Sequence, residues 1–182
     1  NNINVNYINN AATFISAETL ELKKKLDRSN IDQAGEETNL KDFYSLLERI
    51  KSPVENQIIE ILQKIYSTKT VNMSGSFYYP DSGFMGWHTN CLDPCKTVLY
   101  IVYADEDQKS FFRYEDEEGK IITDYDDKGL TIRQFELKGE EPYFWHCVGS
   151  TCNRFSFGFR IYQSRQVATE EESAKVAMRL KS

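Results

Sequence analysis

Nine residues from Arg154 to Tyr162, Arg-Phe-Ser-Phe-Gly-Phe-Arg-Ile-Tyr, alternate so regularly that only an extended strand suits them. Side chains on a strand point to opposite faces with period two, so Phe155, Phe157, Phe159 and Ile161 share one face and Arg154, Ser156, Gly158 and Arg160 the other. The first face is apolar and ready to pack against a helix or a second sheet. The second carries two arginines and a serine, and a buried guanidinium needs an anionic partner, best a bidentate carboxylate. A chain folded around this strand presents an anion site to whatever its sheet encloses.

The surrounding sequence supplies more strands. From Thr70 onward β-branched and aromatic residues dominate, and the expected strands are 71–79, 97–104, 110–114, 120–124, 130–137 and 143–148, with 154–162 the last. Seven short strands separated by turn residues predict an antiparallel sandwich or barrel. The first part reads as helical. Ser16 to Asp27 is a helix candidate, and Asn39 can cap a helix with Leu40, Phe43, Leu46, Leu47 and Ile50 on one face. Ser52, Pro53 and Glu55 form a capping box ahead of Ile58, Ile59, Leu62 and Ile65. Thr169 and Glu172 suggest a C-terminal helix. The 182 residues then divide into a helical part over 1–69, a β core over 70–163 and a helix over 164–182, all within a single domain.

Charge narrows the partners. The net charge of −6 lies between Asp105 and Lys128, where ten acidic residues face four basic ones. Such a run is ordinarily a solvated hairpin or loop. No basic stripe is present to neutralise phosphates, so nucleic acid is a poorly supported partner. No apolar run reaches the roughly 18 residues of a membrane span, so an integral membrane protein is not expected. Residues 1–10 do not resemble a signal peptide, which sets the expectation of a cytoplasmic protein, although a removed leader stays open because the sequence lacks an initial Met. Cys91, Cys95, Cys147 and Cys152 are expected as free thiols, a four-thiolate zinc site being the alternative.

Only two histidines occur, His88 and His146. His88 stands in Gly86-Trp87-His88-Thr89-Asn90, after a Pro-Asp-Ser-Gly turn; His146 lies on the strand preceding the one that begins at Arg154. In this order the sequence resembles the Fe(II)- and 2-oxoglutarate-dependent oxygenases, particularly their prolyl-4-hydroxylase-like branch. His88-Thr89-Asn90 stands where that family has His-x-Asp, His146 where it has the distant histidine, and Arg154-Phe155-Ser156 where it has Arg-x-Ser. The resemblance covers 71–162, about half the chain.

It implies an α+β protein with a double-stranded β-helix core, a cupin-like jelly roll, and N-terminal helices packed on the major sheet. It also implies Fe(II) held by His88, His146 and Asn90, with 2-oxoglutarate as co-substrate against Arg154 and Ser156. Tyr79, Tyr103 and Arg160 match further co-substrate contacts. The implied reaction hydroxylates, or demethylates, an unidentified protein side chain or small molecule while 2-oxoglutarate becomes succinate and CO2. Asn90 is the departure, since a neutral amide replaces a carboxylate. Asp93 or Asp81 could substitute, or the fold could persist as an inert binding or structural module. A cupin-like metalloprotein that ignores 2-oxoglutarate is a further alternative. Trp87, Tyr100, Arg113 and Tyr114 could border the mouth of the barrel, although aromatic side chains in a chain with 24 of them usually serve packing.

Overall fold

The computed structural model describes residues 15–25, 45–46, 48–51, 53–67, 70–90 and 97–162. Within these, helix α1 spans Ala17–Lys23 and helix α2 spans Glu55–Ile65. The strands are β1 (Ser45–Leu46), β2 (Glu48–Arg49), β3 (Thr70–Tyr79), β4 (Phe84–His88), β5 (Thr97–Ala104), β6 (Ser110–Glu115), β7 (Ile121–Tyr125), β8 (Gly129–Glu136), β9 (His146–Ser150) and β10 (Arg154–Tyr162). They form two antiparallel sheets, a major one in the order β2-β3-β10-β5-β8 and a minor one in the order β1-β4-β9-β6-β7. With the two short edge strands set aside, β3 to β10 interlace between the sheets as a jelly roll, the double-stranded β-helix.

Among the described residues three apolar clusters hold the layers together. Between the sheets lie Tyr79, Phe112 and Val148, with Phe77, Met85, Tyr100, Tyr114, Phe135 and Phe144 packed around them. On the outer face of the major sheet, Leu62 of α2 meets Val71, Leu99, Phe159 and Ile161, with Ile58, Ile59 and Phe157 beside them. The apolar face of β10 thus packs against a helix, each fully buried side chain contributing about 1.5–3 kcal/mol. On the outer face of the minor sheet, Ile15 and Leu20 of the α1 region meet Phe84, Trp87, Trp145 and Cys147.

Several expectations are corrected. Among the described residues α2 covers the major sheet, while α1 lies on the minor one, capped by Ser16 and pinned where the Trp87 indole N–H donates to the Ser16 carbonyl at 2.9 Å. Residues 45–46 and 48–49, expected within a helix, pair instead with β4 and β3. The outer strands' unpaired backbone groups outweigh the helical spacing of that segment, and covering those edges satisfies them. Helix α2 starts after Val54, which offers no side-chain cap. β4 was not anticipated as a strand at all. Trp87 and Arg113 lie away from any mouth. Trp87 is fully buried, and Arg113 donates to the Thr123 hydroxyl and the Ile15 carbonyl, both at 2.8 Å. The expected helix over 164–182 and the cap at Asn39 lie outside the described residues.

Gly158 shows how tightly β10 is packed. A Cβ there would meet Tyr100 Cε1 and Ser74 Oγ, each at 2.5 Å. Gly158→Ala is therefore expected to destabilise the protein by about 1–3 kcal/mol and to push the Tyr100 ring toward the interior. Urea denaturation reads this directly, and an unchanged midpoint would contradict the packing described.

Candidate active site

The interior of the barrel holds a cavity of about 20 Å³ lined by Phe77, Tyr79, Met85, His88, Tyr100, His146, Val148, Arg154 and Ser156. It brings together both histidines and the polar face of β10. How His88 reaches it is a matter of backbone geometry. On the minor sheet Met85 pairs with Val148 and His88 with His146, so two residues of β4, Gly86 and Trp87, oppose the single Cys147 of β9. That bulge resets the alternation, turning Trp87 outward to the α1 cluster and His88 inward. In an unbroken strand His88 would share a face with Gly86 and point away from Met85. The signal in the sequence was the glycine before Trp87, a residue that marks bulges within strands.

His88 and His146 lie side by side, ring centroids 4.1 Å apart. Each is oriented by its own strand. His88 Nδ1 is 2.8 Å from the Gly86 carbonyl and His146 Nδ1 is 3.0 Å from the Phe144 carbonyl. A carbonyl only accepts, so both imidazoles carry their proton on Nδ1 and the lone pair on Nε2, the tautomer a metal requires. Burial lowers both pKa values. For His146 the value falls to about 4, the Phe144 carbonyl only partly opposing; for His88 burial and the His146 charge push it well below 6.5. Asn90 closes the group, its side-chain amide 3.4 Å from His146 Nε2. Its φ of 53° is left-handed, a conformation that asparagine and aspartate tolerate better than most residues.

Two neutral buried imidazoles make the fold acid-sensitive. Between pH 6.5 and about 4 the unfolded chain takes up a proton that folded His146 refuses, so stability falls as pH drops through that window. The loss from His146 alone is on the order of 3 kcal/mol, complete near pH 4 and absent above 6.5. His88, lowered further, extends it. Urea midpoints for the metal-free protein near neutrality and near pH 5 check this, and equal midpoints would contradict it.

At the anionic end, Arg154 is 1% exposed, and its Nε donates to Asp126 Oδ2 at 2.9 Å. The guanidinium carbon lies 5.0 Å from the centre of the Tyr79 ring. Its Nη1 is buried with no hydrogen-bond partner among the described residues. A buried, unsatisfied N–H on a charged group costs roughly 1–3 kcal/mol or more, and an anion in the cavity is the group that would satisfy it. Ser156, buried two residues along the same face, lines the cavity beside it.

The remaining candidates divide. Tyr79 lines the cavity, its hydroxyl pKa raised by burial. Tyr103 does not: it is 42% exposed and packs near Phe155 on the outer face, while Tyr100 takes the inward place three residues earlier. Arg160 is on the inner parity of β10 but roughly 20 Å along the strand from Arg154, and is not part of the cavity lining. Tyr114 packs with Phe112 and Phe144 between the sheets. Asp81 is exposed on the turn after β3. Asp93, Cys91 and Cys95 lie outside the described residues. Cys147 and Cys152 are free and buried, and burial pushes the Cys147 thiol up to about 12. Among the described residues no group of three His, Cys, Asp or Glu side chains could hold a metal ion, so Asn90 is the side chain that accompanies the histidine pair.

The sequence did not single out Asp126, Arg133 or Ser110. Asp126 is fully buried and accepts from Arg154, Arg133 and the Ser110 hydroxyl. Burial pushes its carboxyl up, yet the Arg154 charge, the Ser110 hydrogen bond and the Arg133 charge together hold it below its ordinary value.

No family model matches the chain, and a search of curated proteins returns no match. Among solved structures it is similar to a Pseudomonas putida prolyl-4-hydroxylase, with 13% identity and a TM-score of 0.49 over 87% of this chain and 97% of that one. It is also similar to a Burkholderia pseudomallei oxidoreductase of the 2OG-Fe(II) oxygenase family, with 12% identity and a TM-score of 0.45 over 64% of each chain. An RmlC-like cupin protein from Desulfovibrio desulfuricans aligns with 10% identity and a TM-score of 0.34 over 69% of this chain and 90% of that one. Likeness at this level leaves the chemistry to be decided by the residues of the cavity.

Proposed function

We propose that the chain is an Fe(II)- and 2-oxoglutarate-dependent oxygenase acting on a protein side chain or a small molecule. The observation that carries this reading is the pairing, in one cavity, of two Nδ1-protonated histidines with a buried arginine whose Nη1 lacks a partner. The donor set fits: imidazole nitrogens suit Fe(II), and the unsatisfied N–H suits the far carboxylate of a dicarboxylate. His88 and His146 would hold the iron with Asn90, and Arg154 and Ser156 the co-substrate. Bound iron and 2-oxoglutarate together would supply the oxidising power for hydroxylation or demethylation.

The chain's own contribution is placement and dryness. The Gly86 and Phe144 carbonyls fix the imidazole tautomers, and the apolar walls Phe77, Met85, Tyr100 and Val148 exclude water.

A second reading is an inert binding module on the same barrel. It is favoured by Asn90, whose neutral amide meets His146 Nε2 directly. Incubation with Fe(II), ascorbate, oxygen and 2-oxoglutarate separates the two. Slow succinate release that disappears in His146→Ala supports the oxygenase. No succinate above the buffer blank, from protein that binds neither iron nor 2-oxoglutarate, supports the inert module.

A further inference from the structure

Arg154 belongs to a buried chain of charges extending behind the cavity. Asp126 accepts Arg154 Nε and the Ser110 hydroxyl on Oδ2, and the Arg133 guanidinium on Oδ1. Arg133 in turn donates Nε to Asp124 Oδ2 at 2.6 Å and Nη2 to the carbonyls of Asp124 and Tyr125, both at 3.2 Å. Asp124 is half in solvent, with 53% of its side chain exposed. Two arginines and two aspartates thus offset one another along this chain, and Arg154 is the member that lines the cavity, whose lining among the described residues holds no carboxylate. Among the described residues its Nε is engaged and its Nη1 is not.

Resting on the oxygenase reading, we infer that Asp126 is a positioning residue for 2-oxoglutarate. By anchoring Nε it fixes the plane of the Arg154 guanidinium so that Nη1 faces the far carboxylate of the co-substrate. Ser110 and Arg133 hold Asp126 in that orientation. The sign of the effect makes this testable. If Asp126 merely competed with the ligand for the positive charge of Arg154, its removal would tighten anion binding. If it positions Arg154, its removal weakens binding, because a long side chain released from its anchor must be re-ordered by the ligand.

Calorimetry on the whole chain with Mn(II) in place of iron distinguishes the two. For Asp126→Asn the expected result is about tenfold weaker 2-oxoglutarate binding, with Mn(II) affinity unchanged. Binding of 2-oxobutyrate, which lacks the far carboxylate, should also be unchanged, a selectivity that general loosening of the fold would not produce. Equal or tighter 2-oxoglutarate binding by Asp126→Asn overturns the inference and leaves the oxygenase reading intact. A wild-type protein that binds Mn(II) but no 2-oxoglutarate overturns both. Should Asp126→Asn fail to fold, Ser110→Ala carries the test, since it removes one hydrogen bond to the carboxylate and no charge. About threefold weaker 2-oxoglutarate binding is expected, and an unchanged constant overturns the inference.

Discussion

Arg154→Ala is expected to abolish 2-oxoglutarate binding and to destabilise the fold by about 3–5 kcal/mol. Both effects follow from the position of the guanidinium. It is 1% exposed and lies against the fully buried Asp126, so truncation strands a carboxylate with Arg133 as its remaining charged partner in the barrel interior. Net stabilities run to about 5–15 kcal/mol, so the variant would approach unfolding. Arg154→Lys separates the two consequences. An ammonium keeps the charge but lacks the planar fork, so it cannot both hold Asp126 and present a second donor to the cavity. Arg154→Lys is expected to fold and to lose at least tenfold in 2-oxoglutarate affinity, about 1.4 kcal/mol. Chemical denaturation and calorimetry read the two quantities, and wild-type binding by Arg154→Lys would remove Arg154 from the site.

Asn90→Asp is expected to tighten metal binding by about tenfold or more, because ligand charge count tunes divalent-ion affinity. The backbone poses no obstacle, since the φ of 53° suits aspartate as it suits asparagine. With the native residue the identified protein donors are all neutral, and of the two carboxylates of the incoming co-substrate the near one alone would offset the charge of the ion, the far one being held by Arg154. Metal and 2-oxoglutarate are then expected to bind with strong mutual coupling, each raising the affinity for the other by the same factor. A carboxylate at position 90 supplies part of that balance, so Asn90→Asp should bind metal better alone and gain less from 2-oxoglutarate. Mn(II) titrations with and without 2-oxoglutarate measure both terms. Unchanged affinity in the variant would place Asn90 outside the coordination group.

The sequence revealed much of the polar half of this site, for a physical reason. β10 is polar on one face and apolar on the other, so its period of two declared which side chains point inward, and Arg154 and Ser156 line the cavity. β5 offered no such clue. Its run Thr-Val-Leu-Tyr-Ile-Val-Tyr-Ala is apolar on both faces because α2 and the barrel interior cover opposite sides. Parity is therefore unreadable there, and Tyr103, which the resemblance offers as a co-substrate contact, lies on the outer face while Tyr100 faces the cavity. β4 was hidden by its bulge, which breaks the alternation and sends Trp87 into the α1 cluster. Asp126 was hidden by its neighbourhood, a run of acidic residues that reads as solvated. Its burial arises from Arg154, 28 residues away, and Arg133, seven away, contacts that no local pattern encodes.

On the proposed function, the histidine pair and Arg154 would serve one iron and one 2-oxoglutarate. Anaerobic titration of the metal-free protein with Fe(II), followed by 2-oxoglutarate, tests it most directly through the visible spectrum. A charge-transfer band is expected that appears only when both are present, is lost in His146→Ala and is weakened in Arg154→Lys. Folded wild-type protein that shows no band with both present would contradict it.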